Sequence, residues 1–509
     1  MSGDIKGLVL RGSVLRTALL FANIAVALYM MPFVIHAIGD RWYGMWTLIG
    51  TFMGYYGYLD FGLSVAVQRF IAGAIGRRDD QEINRLFTTS LVILALLATL
   101  AVAVTFTIGV LAPRFFTDPA EISVFRWVLL LLGINITVTL LMAPVNGIMT
   151  GNLRYDLATY IDLTKLAVRT VLILYFIGAG YSIVALAFIT LITDVGGNAV
   201  KILAVRRMFR GLRVGRAHFA AAQLRPLFGY GGKAFVNQLA DLMRFQIDHL
   251  VIAAFINLSA VTLFNIAGQL VYYFRMLIGA LLGVLIPVYA RYQATNDREA
   301  VFRTYYFVSK LAAVIAVIVG GAALNFGREF VVLWMGPGYV DAYGILVLLI
   351  VPTMLYATQQ PSQSLIYGLG AVGTLARVSI VEAAANVLLS LALVGPYGLT
   401  GVALGTAVPL TFYALFLMVF SSRLAGGSVA TYLRRVGPVL LLGVAVQVVT
   451  ALALHELVLD SWSALITTAA IALSIQGLVM LFLGFSEREL RLIWDTGLKA
   501  LGLAGGVGR

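Results

Sequence analysis

Long stretches with almost no charge recur along the whole chain, and they leave it few ways to fold. About 20 apolar residues suffice to cross the hydrocarbon of a bilayer as an α-helix. Hydropathy, together with the placing of Gly, Pro and charge, predicts fourteen such spans. They run approximately 14–38, 43–72, 86–112, 125–150, 158–177, 181–203, 226–256, 260–290, 301–324, 341–367, 376–395, 399–421, 436–456 and 463–484. Only 12% of the 509 residues are charged and 61% are hydrophobic, with a mean hydropathy of +0.95. Soluble domains carry about 25% charged residues, and one with so few could not hide this much apolar surface. The expected fold class is an all-α polytopic membrane protein.

An even number of spans puts both termini on one side, and the distribution of basic residues says which. Lys and Arg collect in cytoplasmic loops. With both termini cytoplasmic, 29 of the 36 Lys and Arg fall at cytoplasmic segments, four at external ones (Arg41, Arg114, Arg126, Arg328) and three deep within spans (Arg169, Arg244, Arg275). That bias accounts for the net charge of +13, so nucleic acid is not an expected partner; no basic-aromatic stripe supports it. The first apolar run is too long for a cleaved signal segment and lacks a small-residue cleavage pattern, so it reads as a retained helix. The absence of cysteine excludes disulfides and thiolate chemistry. The triplet Asp60-Phe61-Gly62 and the glycine pattern Gly368 to Gly373 match soluble nucleotide-site motifs, but neither has the strand context those motifs require.

The most basic stretch, 201–225, lies between spans six and seven and reads as a linker resting on anionic headgroups. An offset of 218 residues places Ile183-Val184-Ala185-Leu186 on Gly401-Val402-Ala403-Leu404, and six spans per half with equal orientation imply a parallel repeat. The expected organisation is an N-terminal lobe (1–217), a second lobe (218–435), and two appended helices with a cytoplasmic tail (436–509).

An ionisable group near the bilayer centre costs about 2.5–3.5 kcal/mol and therefore faces protein or a watery cavity. Span seven carries Asn237, Asp241, Arg244 and Asp248 at helical spacing on one face. Span eight adds Asn265, Gln269 and Tyr272 on one stripe, with Arg275 beside it. Arginine suits an anionic group because its planar fork meets phosphate oxygens bidentately and never loses its charge. Local pairing of Arg244 with Asp241 and Asp248, and an ion pair for Arg275, are the structural alternatives. Tyr55, Tyr56, Tyr58 and Asp60 in span two, with Asn23 and Tyr29 in span one, offer rings and hydroxyls to a sugar or pack helices. Asp162, Lys165 and Arg169 in span five, facing Asp194 in span six, read as a structural ion network. The polar break Gln359 to Gln363 supplies further amides for a sugar. Glu382, with Asn386, is a candidate for carrying a coupling H+ or Na+, as is Asp248. No catalytic residue, bound cofactor or metal site is expected.

Several of these stretches resemble a known family. Tyr43-Gly44 through Tyr58-Leu59-Asp60-Phe61-Gly62-Leu63 and Arg69-Phe70, then Tyr230-Gly231-Gly232 through Asp248 and Phe255, are similar to segments of Wzx-type flippases. These belong to the multidrug/oligosaccharidyl-lipid/polysaccharide exporter superfamily. Phe264-Asn265-Ile266-Ala267 and the external stretch Phe330 to Gly336 continue the resemblance, which covers spans one to twelve. It implies two six-helix lobes around a cavity lined by spans one, two, seven and eight. The lipid II flippase branch likewise has fourteen spans, the last two forming a groove for a lipid tail. This sequence departs from that branch in its first helix, which has Arg16 only at its start.

The resulting expectation is a flippase, not an enzyme. It would move an undecaprenyl-diphosphate-linked oligosaccharide across the bacterial inner membrane by alternating access, with membrane lipid and polysaccharide polymerase or glycosyltransferase machinery as partners. The rivals are a cation-coupled multidrug exporter, which would want buried acid in span one, and a membrane-embedded glycosyltransferase or polymerase, which would want carboxylates on large external loops.

Overall fold

A computed structural model describes the backbone of residues 2–282 and 285–491; some side chains within these ranges, including those of Tyr58 and 236–246, lie outside the described residues. The chain forms two compact units, Met1–Thr262 and Leu263–Arg509. The first holds α1 (Ser2–Ile38), α2 (Asp40–Tyr56), α3 (Leu63–Arg77), α4 (Asp80–Leu111), α5 (Pro119–Leu141), α6 (Ala143–Gly151), α7 (Tyr155–Gly178), α8 (Ile183–Met208), α9 (Leu224–Phe255) and the start of α10 (Leu258–Leu282). The second holds the rest of α10, α11 (Leu285–Ala294), α12 (Arg298–Met335), α13 (Asp341–Ala357), α14 (Gln360–Gly368), α15 (Val372–Leu424), α16 (Val429–Arg435), α17 (Gly437–Leu454) and α18 (Trp462–Gly484).

The two units repeat one internal plan. Helices α4 and α12 begin at Asp80 and Arg298, 218 positions apart, which is the offset expected from the sequence. Each is capped by the preceding aspartate: Asp79 accepts from the Glu82 N–H and Asp297 from the Ala300 N–H, both at 2.9 Å, satisfying a donor that a helix start leaves open. The pairing of α3 with α6 recurs as α11 with α14, α4 with α5 as α12 with α13, and α5 with α8 as α13 with α15. The nine-residue helices α6 and α14 both have proline in their first turn, where its missing N–H costs nothing.

Among the described residues, nine helices are long and apolar enough to cross a membrane, and the pair α13–α14, bent by 41°, makes a tenth. Helix α15 has 53 residues, about 80 Å at 1.5 Å per residue, against about 30 Å of hydrocarbon. It is a hairpin, broken at Gly398 (φ 55°, ψ −134°). Ser379 bonds Tyr413, Asn386 donates to Thr406, and Ser390 donates to the Val402 carbonyl, pairs that only antiparallel arms can make. The expected spans 376–395 and 399–421 are these arms. Two further expected spans fail a purely apolar test. Helix α7 carries Asp162, Lys165 and Arg169, and 43–72 is not continuous: α2 gives way to a 3₁₀ turn, Gly57–Asp60, before α3. The stretch 125–150 is likewise broken, into α5 and α6.

The appended pair is fastened to α12 by amides. Gln447 accepts from Asn325 at 2.6 Å and donates to the Val317 carbonyl and to Gln476, both at 3.0 Å; Gln476 donates to Thr450 at 2.9 Å. Gly321 leaves the room, because a Cβ there would overlap the Gln447 amide. In hydrocarbon such amides hold helices together where apolar side chains have no preference. Beyond α18, Lys310 donates to both carboxylate oxygens of Glu489 at 3.0 Å. Burial alone would raise the Glu489 pKa, but the Ser486 N–H and hydroxyl and the Lys310 ammonium outweigh it and lower the value.

A folded-state pKa below the ordinary glutamate range gives a stabilisation that is complete above that range and lost as pH falls through the folded value. Thermal unfolding in detergent should show Glu489→Gln less stable than the native chain at pH 7 by about 1 kcal/mol or less. The gap should close by about pH 3.

Candidate functional site

The break after α2 is built by the Asp60 motif. The buried Asp60 carboxylate accepts from the Gly62 N–H at 2.8 Å and the Ser64 N–H at 3.1 Å, capping the start of α3. Phe61 and Gly62 take positive φ values of 50° and 72°, a region that glycine enters freely and other residues do not. Gly62 rests on α9: a Cβ there would overlap the Gly231 carbonyl. The Phe61 and Phe235 rings lie 5.1 Å apart, and the Arg69 guanidinium sits 4.4 Å from the centre of the Tyr230 ring. The two glycine-bearing motifs singled out in the sequence are thus one structural joint. Asp60, expected at a substrate surface, has both carboxylate oxygens engaged in forming it.

The other expected residues divide. Tyr55 on α2 is half-buried and Asp248 on α9 is buried, on two helices that pack against each other. Tyr56 turns into the core with Met53 and Phe125. Asn23 is exposed and donates to the Leu19 carbonyl of its own helix at 2.7 Å. The side chains of Asn237, Asp241 and Arg244 lie outside the described residues. On α10, Gln269 and Arg275 are half-buried. Glu382 is buried, and Asn386 one turn on is committed to Thr406. The amides of the polar break are also engaged: Gln359 donates to the Tyr432 hydroxyl at 2.9 Å and Gln363 to the Tyr356 hydroxyl at 2.7 Å.

Charged side chains of α7 and α8 form one chain of contacts. Lys201 pairs with Asp162 at 2.9 Å, Asp162 with Lys165 at 3.4 Å, Lys165 with Asp194 at 3.1 Å, and Asp194 with Arg169 at 2.6 Å. Asn135 donates to Asp194 and Arg169 to the Thr193 hydroxyl. Three cations share two carboxylates, leaving one positive charge in excess. None of the five side chains is fully shielded, with 12–29% of each accessible.

A cavity of about 610 Å³ also lies wholly within the first unit. Arg41 and Arg114, two of the four arginines that break the positive-inside bias, line it. Glu121 binds Arg41 through both carboxylate oxygens, Nη2 at 3.0 Å from Oε2. Leu48, Phe52 and Leu250 provide an apolar floor. The sequence carried a signal for it, the external arginines themselves, but Arg41 and Glu121 are 80 residues apart and nothing local ties them together.

The comparisons follow from the fold. A family model described as "Polysaccharide biosynthesis protein" matches residues 41–343. The chain is 22% identical over 488 residues to "Uncharacterized membrane protein EpsK" of Bacillus subtilis (strain 168), covering 92% of this chain and 94% of that protein. It is 20% identical over 407 residues to "Putative O-antigen transporter" of Shigella flexneri, covering 78% and 94%. Among solved structures, the lipid II flippase MurJ in an inward closed conformation matches with a TM-score of 0.71 at 14% identity, over 92% of this chain and 98% of that one. That coverage reaches into the appended helices, so the likeness of fold extends beyond the repeated units.

Two substitutions test the geometry. Gly62→Val should cost about 2 kcal/mol or more through strained backbone and the clash with Gly231, seen as a lower unfolding temperature, whereas Gly50→Val, with open space around its Cα, should not. A double-mutant cycle of Asp194→Asn with Arg169→Met should give a coupling of about 1–3 kcal/mol, smaller than for a fully buried pair.

Proposed function

Since the chain belongs to the polysaccharide biosynthesis protein family by the match over residues 41–343, we propose that it flips an undecaprenyl-diphosphate-linked oligosaccharide across the bacterial inner membrane. The chain is a multi-pass membrane transporter; the lipid-linked substrate, the inner membrane and the cytoplasmic termini are the proposed refinements. The observation that carries the reading is the set of charged and amide side chains held partly open within spans: Lys165, Arg169 and Asp194 in one unit, Gln269 and Arg275 in the other. Packing alone gives no reason to pay the insertion cost of such groups, whereas a passage for a hydrated headgroup does. The names of the similar proteins, an O-antigen transporter and a lipid II flippase, fit a glycan carried on a lipid.

In this reading Arg275 and Arg244 hold the diphosphate as bidentate donors. Tyr55 and Gln269 meet the sugar, and the prenyl chain stays in lipid. Asp248 and Glu382, both buried, carry the coupling H+ or Na+. Polymerase or glycosyltransferase partners would act on the substrate before and after the flip. Arg275→Gln should reduce surface glycan about tenfold or more in a strain dependent on this chain, the loss of one charge-assisted contact being worth about 1.5–3 kcal/mol. Arg275→Lys should retain part of it. Unchanged glycan at normal protein abundance would remove Arg275 from the mechanism.

A further inference from the structure

A second cavity, of about 550 Å³, lies wholly within the second unit at the root of the appended helices. Its depth follows from the sequence of its walls. Lys310 is the last charge before an uncharged run, 311–327, in α12; Arg435 ends α16 two residues before α17 begins, and Arg488 follows the end of α18. Three apolar segments therefore begin or end at one level, and the cavity sits where hydrocarbon meets headgroups. By the distribution of basic residues this is the cytoplasmic side.

Its charge is unbalanced. Of the four cations on its walls, Lys310 is paired with Glu489 at 3.0 Å, and Arg303 with Glu299 at 3.7 Å on the same helix. Arg435 and Arg488 have no carboxylate partner among the described residues. Arg435 is nevertheless positioned, with its guanidinium 5.0 Å from the Phe302 ring centre and 5.7 Å from that of Tyr306. Beneath it, Tyr306 belongs to a buried cluster with Tyr305 and Tyr432, which gives the cavity a firm floor. Two arginines in excess, Arg435 held against its rings and Arg488 exposed on the same wall, suit a ligand with two negative charges, and Thr304 and Ser486 add hydroxyls there. Outward from the cavity, Leu441, Val444 and Val448 of α17 are exposed apolar surface of the kind that acyl or prenyl chains cover.

We propose that this cavity binds the headgroup of a lipid bearing two phosphates, in the leaflet next to the basic face. Basic pockets between membrane helices on this side are suited to such headgroups. The proposal stands independently of the substrate assigned above, because cardiolipin and a polyprenyl diphosphate present the same chemistry from different sources.

Native mass spectrometry of the full chain in detergent would test it with four probes: cardiolipin, undecaprenyl diphosphate, phosphatidylglycerol and inorganic diphosphate. One or both two-phosphate lipids should be retained at least tenfold more tightly than phosphatidylglycerol. Preference for cardiolipin identifies a resident lipid, and preference for undecaprenyl diphosphate identifies a station for a carrier. Arg435→Gln with Arg488→Gln should remove that preference, whereas Arg434→Gln, outside the cavity, should not. The native chain gives a reading free of folding artefacts: the preferred lipid should raise its unfolding temperature, and phosphatidylglycerol at equal charge should not. Equal retention of phosphatidylglycerol, unchanged binding in the double variant, or tighter binding of inorganic diphosphate than of either lipid would overturn the proposal.

Discussion

Every polar group that enters hydrocarbon must find its partner inside the protein, and this requirement governs most of what is irregular in the fold. Regular helices meet it for the backbone. Wherever a helix is broken, side chains take over. At the end of α2 the Asp60 carboxylate collects the Gly62 and Ser64 N–H groups. At the bend between α13 and α14, Gln359, Ser362 and the Tyr305 and Tyr432 hydroxyls bond one another. Across the α15 hairpin the bonds run between Ser379, Asn386, Thr406 and Tyr413. Each of these groups looks, in a linear sequence, like a polar residue awaiting a ligand.

That ambiguity sets how far the sequence could be read. The recurrence of long apolar helices and the repeat at an offset of 218 were legible because they depend on composition summed over 20 residues or more. The ladder of Asp162, Lys165 and Arg169 with Asp194 was legible because helical spacing puts three charges on one face and the next helix returns an acid. Asp60 was less so. Its cap is written in the local pattern Asp60-Phe61-Gly62 followed by Ser64, an aspartate bonding the backbone just ahead beside a glycine of positive φ, but a lone acid among tyrosines also has the composition of a sugar site. Gln447 and Gln476 were overlooked because an isolated glutamine barely lowers the hydropathy of a span, and only the meeting of α12, α17 and α18 reveals that they complete each other.

The repeat clarifies why the additional helices need such amides. In each unit the short proline-led helix, α6 or α14, packs against the helix that precedes the long one, α3 or α11. Helices α17 and α18 have no counterpart in the first unit, and most of their surface is exposed Leu, Val, Ile and Phe, which lipid covers as well as protein does. Van der Waals contact at Gly321 and Gly443, together with the glutamine pair, provides what apolar burial cannot in this solvent.

The same reasoning separates polar groups that hold the fold from those left to act on something else. Groups of the first kind have bonded partners and are closed from solvent, as with Asp60, Gln359 and Gln476. The ion ladder of α7 and α8 is bonded but remains partly open and carries one uncompensated cation. Arg435 and Arg488 go further, with no acid to answer them among the described residues. Because an unmatched cation at the edge of hydrocarbon is costly to keep and anionic headgroups are always at hand there, the excess charge points outward, to lipid and to what lipid carries.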